Sequence, residues 1–242
     1  MVQQGQALTY QMWITLMTYD LDKILYNASS IETIVYEDEM DSTNTTAKDI
    51  AKAGDAVGVL VLTENQTAGR GRLGRTWFND GKKSIAMSLI LKPRLLPDKV
   101  SMITIIAAMA VSDAIENLTG CETQIKWPND IHYEGKKLCG ILTEGVFRGD
   151  EFFAVIGIGI NVDKTEFESA ISISDFAAAP SREDIISEIS NCFDEYLEIL
   201  EEDGDLSAIA EDYNKRSISG KGINAAGELI TESGDIIRNI EY

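Results

Sequence analysis

The sequence predicts an α+β fold, and three observations carry that expectation. Residues 98–118 place Ile103, Ile106, Ala107, Ala110, Ala114 and Leu118 at helical spacing, and Gly120 marks the stop. Residues 181–200 show a second helix: Ser181 and Asp184 have capping-box spacing, and Ile185, Ile189, Phe193, Tyr196, Leu197 and Leu200 form one apolar stripe. Between these helices the chain is β-rich. Segments 123–127 and 131–133 flank Pro128-Asn129-Asp130, Glu134-Gly135 is a turn, and 138–147 and 152–162 read as strands joined by Arg148-Gly149-Asp150.

The remaining elements follow in chain order. Residues 1–18 form an N-terminal extension with few signals, 19–26 a short helix, and 34–37 a strand. Asp41-Ser42-Thr43-Asn44 suits a helix cap, and Gly54 ends the helix that follows. Residues 57–62 and 84–91 are apolar strands. Between them, 64–83 has almost no aliphatic residues and reads as a long functional loop. Residues 163–180 are a second long connection, and the tail from 222 reads as a small hairpin turning at 232–235. The expected units are 1–18, a main domain over 19–215, and a β segment over 216–242.

Composition excludes several functions. Among 242 residues, 21 Lys and Arg stand against 40 Asp and Glu, a net charge of −19. A general nucleic-acid binder needs a basic surface, and an anionic membrane would repel this one. The acidity is concentrated after Arg182, with no Lys or Arg before Lys215. That stretch reads as a solvated helical face. The cysteines, Cys121, Cys139 and Cys192, have neither disulfide-framework nor zinc spacing. Reduced thiols in a cytoplasmic protein are expected. His132 is the single histidine, so histidine metal sites and Ser-His-Asp chemistry are not indicated. No unbroken apolar run reaches the ~20 residues of a membrane span.

Chemistry concentrates in three segments. Gly69-Arg70-Gly71-Arg72-Leu73-Gly74-Arg75, followed by Trp77, sets forked guanidinium groups on a turning backbone. Glycines let backbone N–H groups approach a ligand, and arginines hold phosphate or carboxylate. No Gly-Lys-Ser/Thr follows, and no helix follows directly, so this is neither a Walker A loop nor a dinucleotide fingerprint. At ~4 Å and an effective dielectric of ~20, each opposite charge contributes about 4 kcal/mol before desolvation. The second segment is Lys126-Trp127-Pro128-Asn129-Asp130 with Lys136-Lys137-Leu138-Cys139-Gly140. Here Lys126 and Lys137 stand at the ends of apolar strands and call for an anion. Lys136 reads as an ordinary hairpin lysine. In the third, Gly157-Ile158-Gly159-Ile160-Asn161, alternating glycines leave one strand face free of side chains. Either a flat ligand or a tight strand crossing would use that groove.

Taken together, these segments resemble biotin–protein ligases. Ser42-Thr43-Asn44, Gln66, the arginine-glycine loop through Thr76-Trp77, Lys126 to Asp130, Lys137 to Leu142 and Gly157 to Asn161 match the family's motifs in order and spacing, over roughly residues 20–215. The resemblance implies a catalytic domain like that of class II aminoacyl-tRNA synthetases, with a small SH3-like β appendage. It also implies two half-reactions: biotin and ATP form biotinyl-5′-AMP, and the biotinyl group then passes to a lysine of a biotin carboxyl carrier protein.

By the same resemblance, Ser42, Thr43, Asn44 and Gln66 belong at the biotin head group, with Gly69, Arg70, Gly71 and Arg72 folding over biotin. Gly140, Gly157 and Gly159 belong to the biotin groove. Arg72, Arg75, Trp77, Asn129, Asp130, Lys137 and Asn161 belong to the nucleotide. Lys137, Arg72 and Lys126 are the implied catalytic cations. ATP with Mg²⁺ is implied, without a dedicated protein metal site. About forty residues precede Ser42, which reads as a monofunctional ligase lacking the family's DNA-binding domain. The SH3-like part reads as shortened between Ile223 and Ala226. A lipoate or octanoate ligase of the same superfamily, and a non-catalytic biotin or adenylate binder, are the alternatives. No nucleic-acid or membrane partner is expected, and a homodimer is left open.

Overall fold

The computed structural model describes residues 19–54, 56–79 and 81–238. The expected extension over 1–18 lies outside them. A seven-stranded sheet runs in the order β1-β2-β3-β7-β6-β5-β4. Its strands are β1 (Thr33–Met40), β2 (Val59–Gln66), β3 (Ser84–Leu91), β4 (Gln124–Lys126), β5 (Asp130–Tyr133), β6 (Lys136–Arg148) and β7 (Glu151–Asn161). Only β1 and β2 pair in parallel; every other neighbour is antiparallel. The β6–β7 hairpin turns where the sequence reading placed it, with Gly149 at φ 60°. There a side chain would be strained.

Strand alternation divides the sheet into two unlike faces. On β7, Ala154, Ile156, Ile158 and Ile160 join the main core. That core is closed by α3 (Val100–Thr119) and α4 (Arg182–Asp203). The opposite face is apolar only at one end. There Val59, Val61, Ile90, Val146, Phe153 and Val155 are covered by Ala47 and Ala51 of α2 (Thr43–Ala53). Farther along the same face the residues become small or polar: Ser88 and Ala86 on β3, Gly157 and Gly159 on β7, Gly140 on β6. Among the described residues only the first turn of α2, through Asn44, reaches that end.

Both long helices end as glycine predicts. Gly120 (φ 71°) and Gly204 (φ 72°) take left-handed C-caps. Ser181 accepts from the Asp184 N–H at the start of α4, and Asp20 caps the short α1 (Leu21–Asn27) through the Lys23 N–H. The segment Pro97–Thr119 is long and apolar enough to cross a membrane, with mean hydropathy 1.4, but 78% of that window is buried in the core. Counting unbroken apolar runs had passed over it because Ser101, Thr104 and Ser112 interrupt the pattern.

Two differences from the sequence reading bear on the site and the acidic stretch. Strand β2 continues to Gln66 instead of ending at Leu62, because β1 runs beside it in parallel as far as Met40↔Gln66. A further helix, α5 (Ala210–Arg216), lies in the acidic stretch that the sequence reading had not divided. The tail forms a two-stranded hairpin of β8 (Leu229–Ile230) and β9 (Ile236–Ile237), as expected. It is tied back to the sheet: Ile218 N–H donates to Ile125 O, Trp127 N–H to Ser219 Oγ, and Trp127 Nε1 to Gly227 O.

Ile106 is fully buried in α3. Ile106→Ala is expected to lower the unfolding free energy by about 2–5 kcal/mol. Reversible chemical denaturation measures this, and an unchanged midpoint would contradict the packing.

Candidate active site

The uncovered end of the sheet forms a cavity of about 190 Å³. Its walls come from four places: the N-terminus of α2 (Ser42, Thr43, Asn44), the end of β2 (Gln66), the segment Arg70 to Trp77, and the floor strands β3, β6 and β7. Asn129, Asp130 and Lys137 close the far side.

Ser42 stands at the N-cap of α2, but its side chain makes no cap bond. Gln66 takes over instead, accepting from the Thr43 N–H (2.9 Å) and from Thr43 Oγ1 (3.3 Å). The expected capping role of this polar cluster is thus corrected. Helix termini leave N–H groups unpaired, and here a residue from β2 satisfies one, leaving the Ser42 hydroxyl at the cavity wall. Asn44 is 4% exposed. Its Nδ2 donates to Leu142 O (3.1 Å) and Glu144 Oε2 (2.9 Å), while its Oδ1 accepts from Ser88 Oγ (2.6 Å).

The two glycines of β7 line the cavity floor, as expected, and their neighbours give the physical reason for glycine there. A Cβ on Gly157 would stand 2.0 Å from Asn44 Oδ1, and one on Gly159 would stand 2.3 Å from Trp77 Cε2. Each glycine is therefore required by a side chain of this protein packed on it. Gly140, paired with Gly159 across β6 and β7, also lies under the Trp77 ring, where an added Cβ would be 3.2 Å away. The indole Nε1 is buried without a partner.

The arginine-glycine loop is a compact hairpin. Trp77 N–H donates to Gly69 O (3.0 Å), Gly71 N–H to Arg75 O (2.8 Å), and Arg70 bridges Thr76. Its tip turns through left-handed Leu73 (φ 58°) and Gly74 (φ 70°). Gly69 is outside the cavity wall; a Cβ there would be 2.3 Å from Trp77 O, so glycine permits the crossing. Arg72 Nη1 donates to Asn129 Oδ1 (3.0 Å), and Asn129 Nδ2 donates to Ile141 O (2.8 Å). Lys137 Nζ donates to Asp130 Oδ1 (2.7 Å) and lies 5.7 Å from the Trp77 ring centroid. The fold thus gathers Arg70, Arg72, Arg75 and Lys137 along one cavity, in a chain of net charge −19.

Besides Gly69, two expected residues stand outside this cavity. Lys126 is exposed on the outer strand β4, opposite Asp130, and does not line the cavity. Its neighbours Asn129 and Asp130 turn inward while Lys126 stays on the sheet edge. Asn161 lines a second cavity, of about 500 Å³, with Phe78, Lys83 and Phe167, and donates to Ile171 O. Trp77 walls the first cavity and Phe78 the second, so the two lie on either side of this strand entry.

The sequence reading passed over Ser88, Glu144 and Lys48. Ser88 is fully buried and also reaches Thr43 Oγ1 (2.8 Å). Its signal was a lone hydroxyl within the apolar run of β3. Burial opposes ionisation of Glu144, but hydrogen bonds from Lys48 and Asn44 and the charges of Lys48 and Arg70 outweigh it. Its carboxyl is held below the ordinary value.

Residues 36–161, just over half the chain, match the biotin/lipoate A/B protein ligase family, and the chain belongs to it. It is 34% identical over 233 residues to the bifunctional ligase/repressor BirA of Bacillus subtilis, covering 86% of this chain and 71% of that protein. It is 33% identical over 177 residues to the biotin–[acetyl-CoA-carboxylase] ligase of Mycobacterium tuberculosis, covering 70% and 64%. Against another relative, 40% identical, the match spans about half of that protein's length (52%). The fold matches the biotin protein ligase of Aquifex aeolicus in complex with biotin and ATP, with TM-score 0.73 and 24% identity, covering 86% of this chain and 96% of that one. The class II synthetase-like mixed sheet expected from sequence is thus present.

Gly159→Ala is expected to displace the Trp77 indole, shift tryptophan emission and cost about 1–3 kcal/mol of stability. A Trp77→Phe control assigns the signal; an unchanged spectrum would contradict the packing. A second expectation concerns acid. A carboxyl held below 4.5 in the folded state stabilises the fold above that value and loses the contribution as pH falls through the lowered one. The stability gap between wild type and Glu144→Gln should therefore narrow below pH ~4, which denaturant melts across pH will show.

Proposed function

We propose that this chain is an ATP-dependent biotin–protein ligase. It joins biotin to AMP with release of pyrophosphate, then transfers the biotinyl group to a lysine of a biotin carboxyl carrier protein, such as that of acetyl-CoA carboxylase. The observation that carries this reading is the single cavity in which four cationic side chains meet a wall of amides and hydroxyls. Relatives named for this reaction support the choice of substrates.

The polar wall suits a cyclic urea, which both donates and accepts hydrogen bonds. A dithiolane ring would leave the Gln66 Nε2 donor and the Asn44 oxygen without a ligand partner, at the cost of unpaired polar groups. This favours biotin over lipoate. Lys137 and Arg72 stand where the ligand carboxylate and a nucleotide phosphate would meet. Two anions must approach for the carboxylate oxygen to attack the α-phosphorus and expel pyrophosphate. Preorganised cations lower that repulsion in the transition state, and no protein nucleophile is needed. In the second step the acceptor amine attacks the acyl carbon and AMP leaves, its phosphate charge held by the same cations. Lys126 has no place in this scheme.

ATP brings Mg²⁺. Among the described residues no group of three or more His, Cys, Asp or Glu could hold a metal. Asp130 is the only carboxylate among the described residues lining the cavity. That donor set fits an ion held mainly by nucleotide phosphates and water, with Asp130 as its protein ligand. Bound there, the ion supplies positive charge to the phosphates. The cysteines are unpaired, which suits a reducing cytoplasm.

Lys137→Ala is expected to lower biotin-dependent ATP–pyrophosphate exchange by roughly 10²–10³-fold, with the fold intact by circular dichroism. Near-normal exchange would remove Lys137 from the mechanism. Mass spectrometry of a carrier domain incubated with the protein, biotin and MgATP tests the whole reaction. No mass gain, with a known ligase active in parallel, would overturn it.

A further inference from the structure

Glu144 lies on the site face of β6, one step beyond Leu142, and does not itself line the cavity. Its side chain is 15% exposed, and three donors converge on it. Oε2 accepts from Asn44 Nδ2, and Oε1 accepts from Lys48 Nζ (2.7 Å) and stands 3.3 Å from Arg70 Nη2. One carboxylate therefore joins the cavity wall, helix α2 and the arginine loop. We infer that Glu144 is a positioning residue that sets the donor–acceptor sense of the biotin wall and ties the arginine loop to it.

The sense of the wall follows from counting protons. Asn44 Nδ2 has two hydrogens, and Glu144 and Leu142 O take both. Asn44 can then offer the cavity only its oxygen, which Ser88 already steadies. A reversed amide would set its oxygen against two acceptors. Gln66 is fixed in the opposite sense, because its oxygen receives both Thr43 donors and its Nε2 is left to donate. An acceptor and a donor at fixed places match a ring that carries both N–H and C=O. Arg70, 46% exposed, is the outermost of the three donors on Glu144. That contact closes the start of the loop over the same wall. The wall part of this inference rests on the biotin reading; the loop tether does not.

Glu144→Gln keeps shape but removes charge, and its new NH₂ must face a donor. In the unliganded protein, held well below the variant's own melting temperature, tryptic cleavage at the arginines of 70–75 should rise at least about fivefold, since the loop opens locally. By equilibrium binding, the Kd for biotin should rise about tenfold, the effect of losing a charge-assisted hydrogen bond. The Kd for ATP alone should stay within about twofold, because Arg72 and Lys137 keep their own partners, Asn129 and Asp130. Either arm at its wild-type value, or equal weakening of biotin and ATP, overturns the proposal. If Glu144→Gln does not fold, Glu144→Asp is read in the same assays with the same expectations, since the shortened carboxylate cannot reach all three donors. Wild-type protein that binds no biotin would sink the biotin reading, and the cleavage arm would still decide the tether.

Discussion

The site depends on one constraint: a sheet face that is covered at one end and bare at the other. Strand alternation sends every second residue of β3, β6 and β7 to that face. At the α2 end these residues are Ile90, Val146, Phe153 and Val155, and two alanines of the helix pack on them. At the other end they are serine, alanine and glycine. No helix could be anchored there by apolar burial, so the face is left to the arginine loop and a cavity forms beneath it. The change from valine to glycine along one strand, β7, positions α2, Trp77 and the cavity together.

Within that frame the glycines act on the protein itself. Gly157 makes room for the Asn44 amide, and Gly159 makes room for the Trp77 indole. Backbone on β7 is thereby brought against the two side chains that define the cavity's ends. At the amide end, both Asn44 Nδ2 hydrogens are taken and Gln66 Nε2 is left to donate. The indole end is flanked by Lys137 and carries an unpaired N–H. A ligand spanning the cavity meets hydrogen-bond complementarity at one end and positive charge at the other, which is the polarity a molecule with a ring and a carboxylate requires.

Charge is distributed with the same economy of position. The −19 resides largely in carboxylates of exposed surfaces, including α4 and α5. Three of the four cations along the cavity meet an internal partner: Arg72 with Asn129, Lys137 with Asp130, Arg70 with Glu144. These partners hold flexible side chains in one arrangement without fully neutralising the cavity. Preorganisation of this kind keeps dipoles and charges from having to reorient as the reacting groups come together.

By itself the sequence determined the long helices, the glycine stop of the first, the strands β3, β6 and β7, and the motifs whose order carried the family resemblance. These are local signals: periodicity, turn residues and short runs with strict spacing. Tertiary structure decided what sequence proximity could not express. It placed Lys126 on an outer strand although Asn129 and Asp130, three and four residues on, turn inward. It filled the glycine positions with Asn44 and Trp77, which are distant in the chain. It also recruited Ser88, Glu144 and Lys48, which look like ordinary strand and helix residues until a parallel β1–β2 pair and the β6–β7 hairpin bring them within hydrogen-bond reach. The physical reason is that a side chain's role here is set by partners the fold brings near, as Asn44 of α2 and Glu144 of β6, a hundred positions apart, share a hydrogen bond.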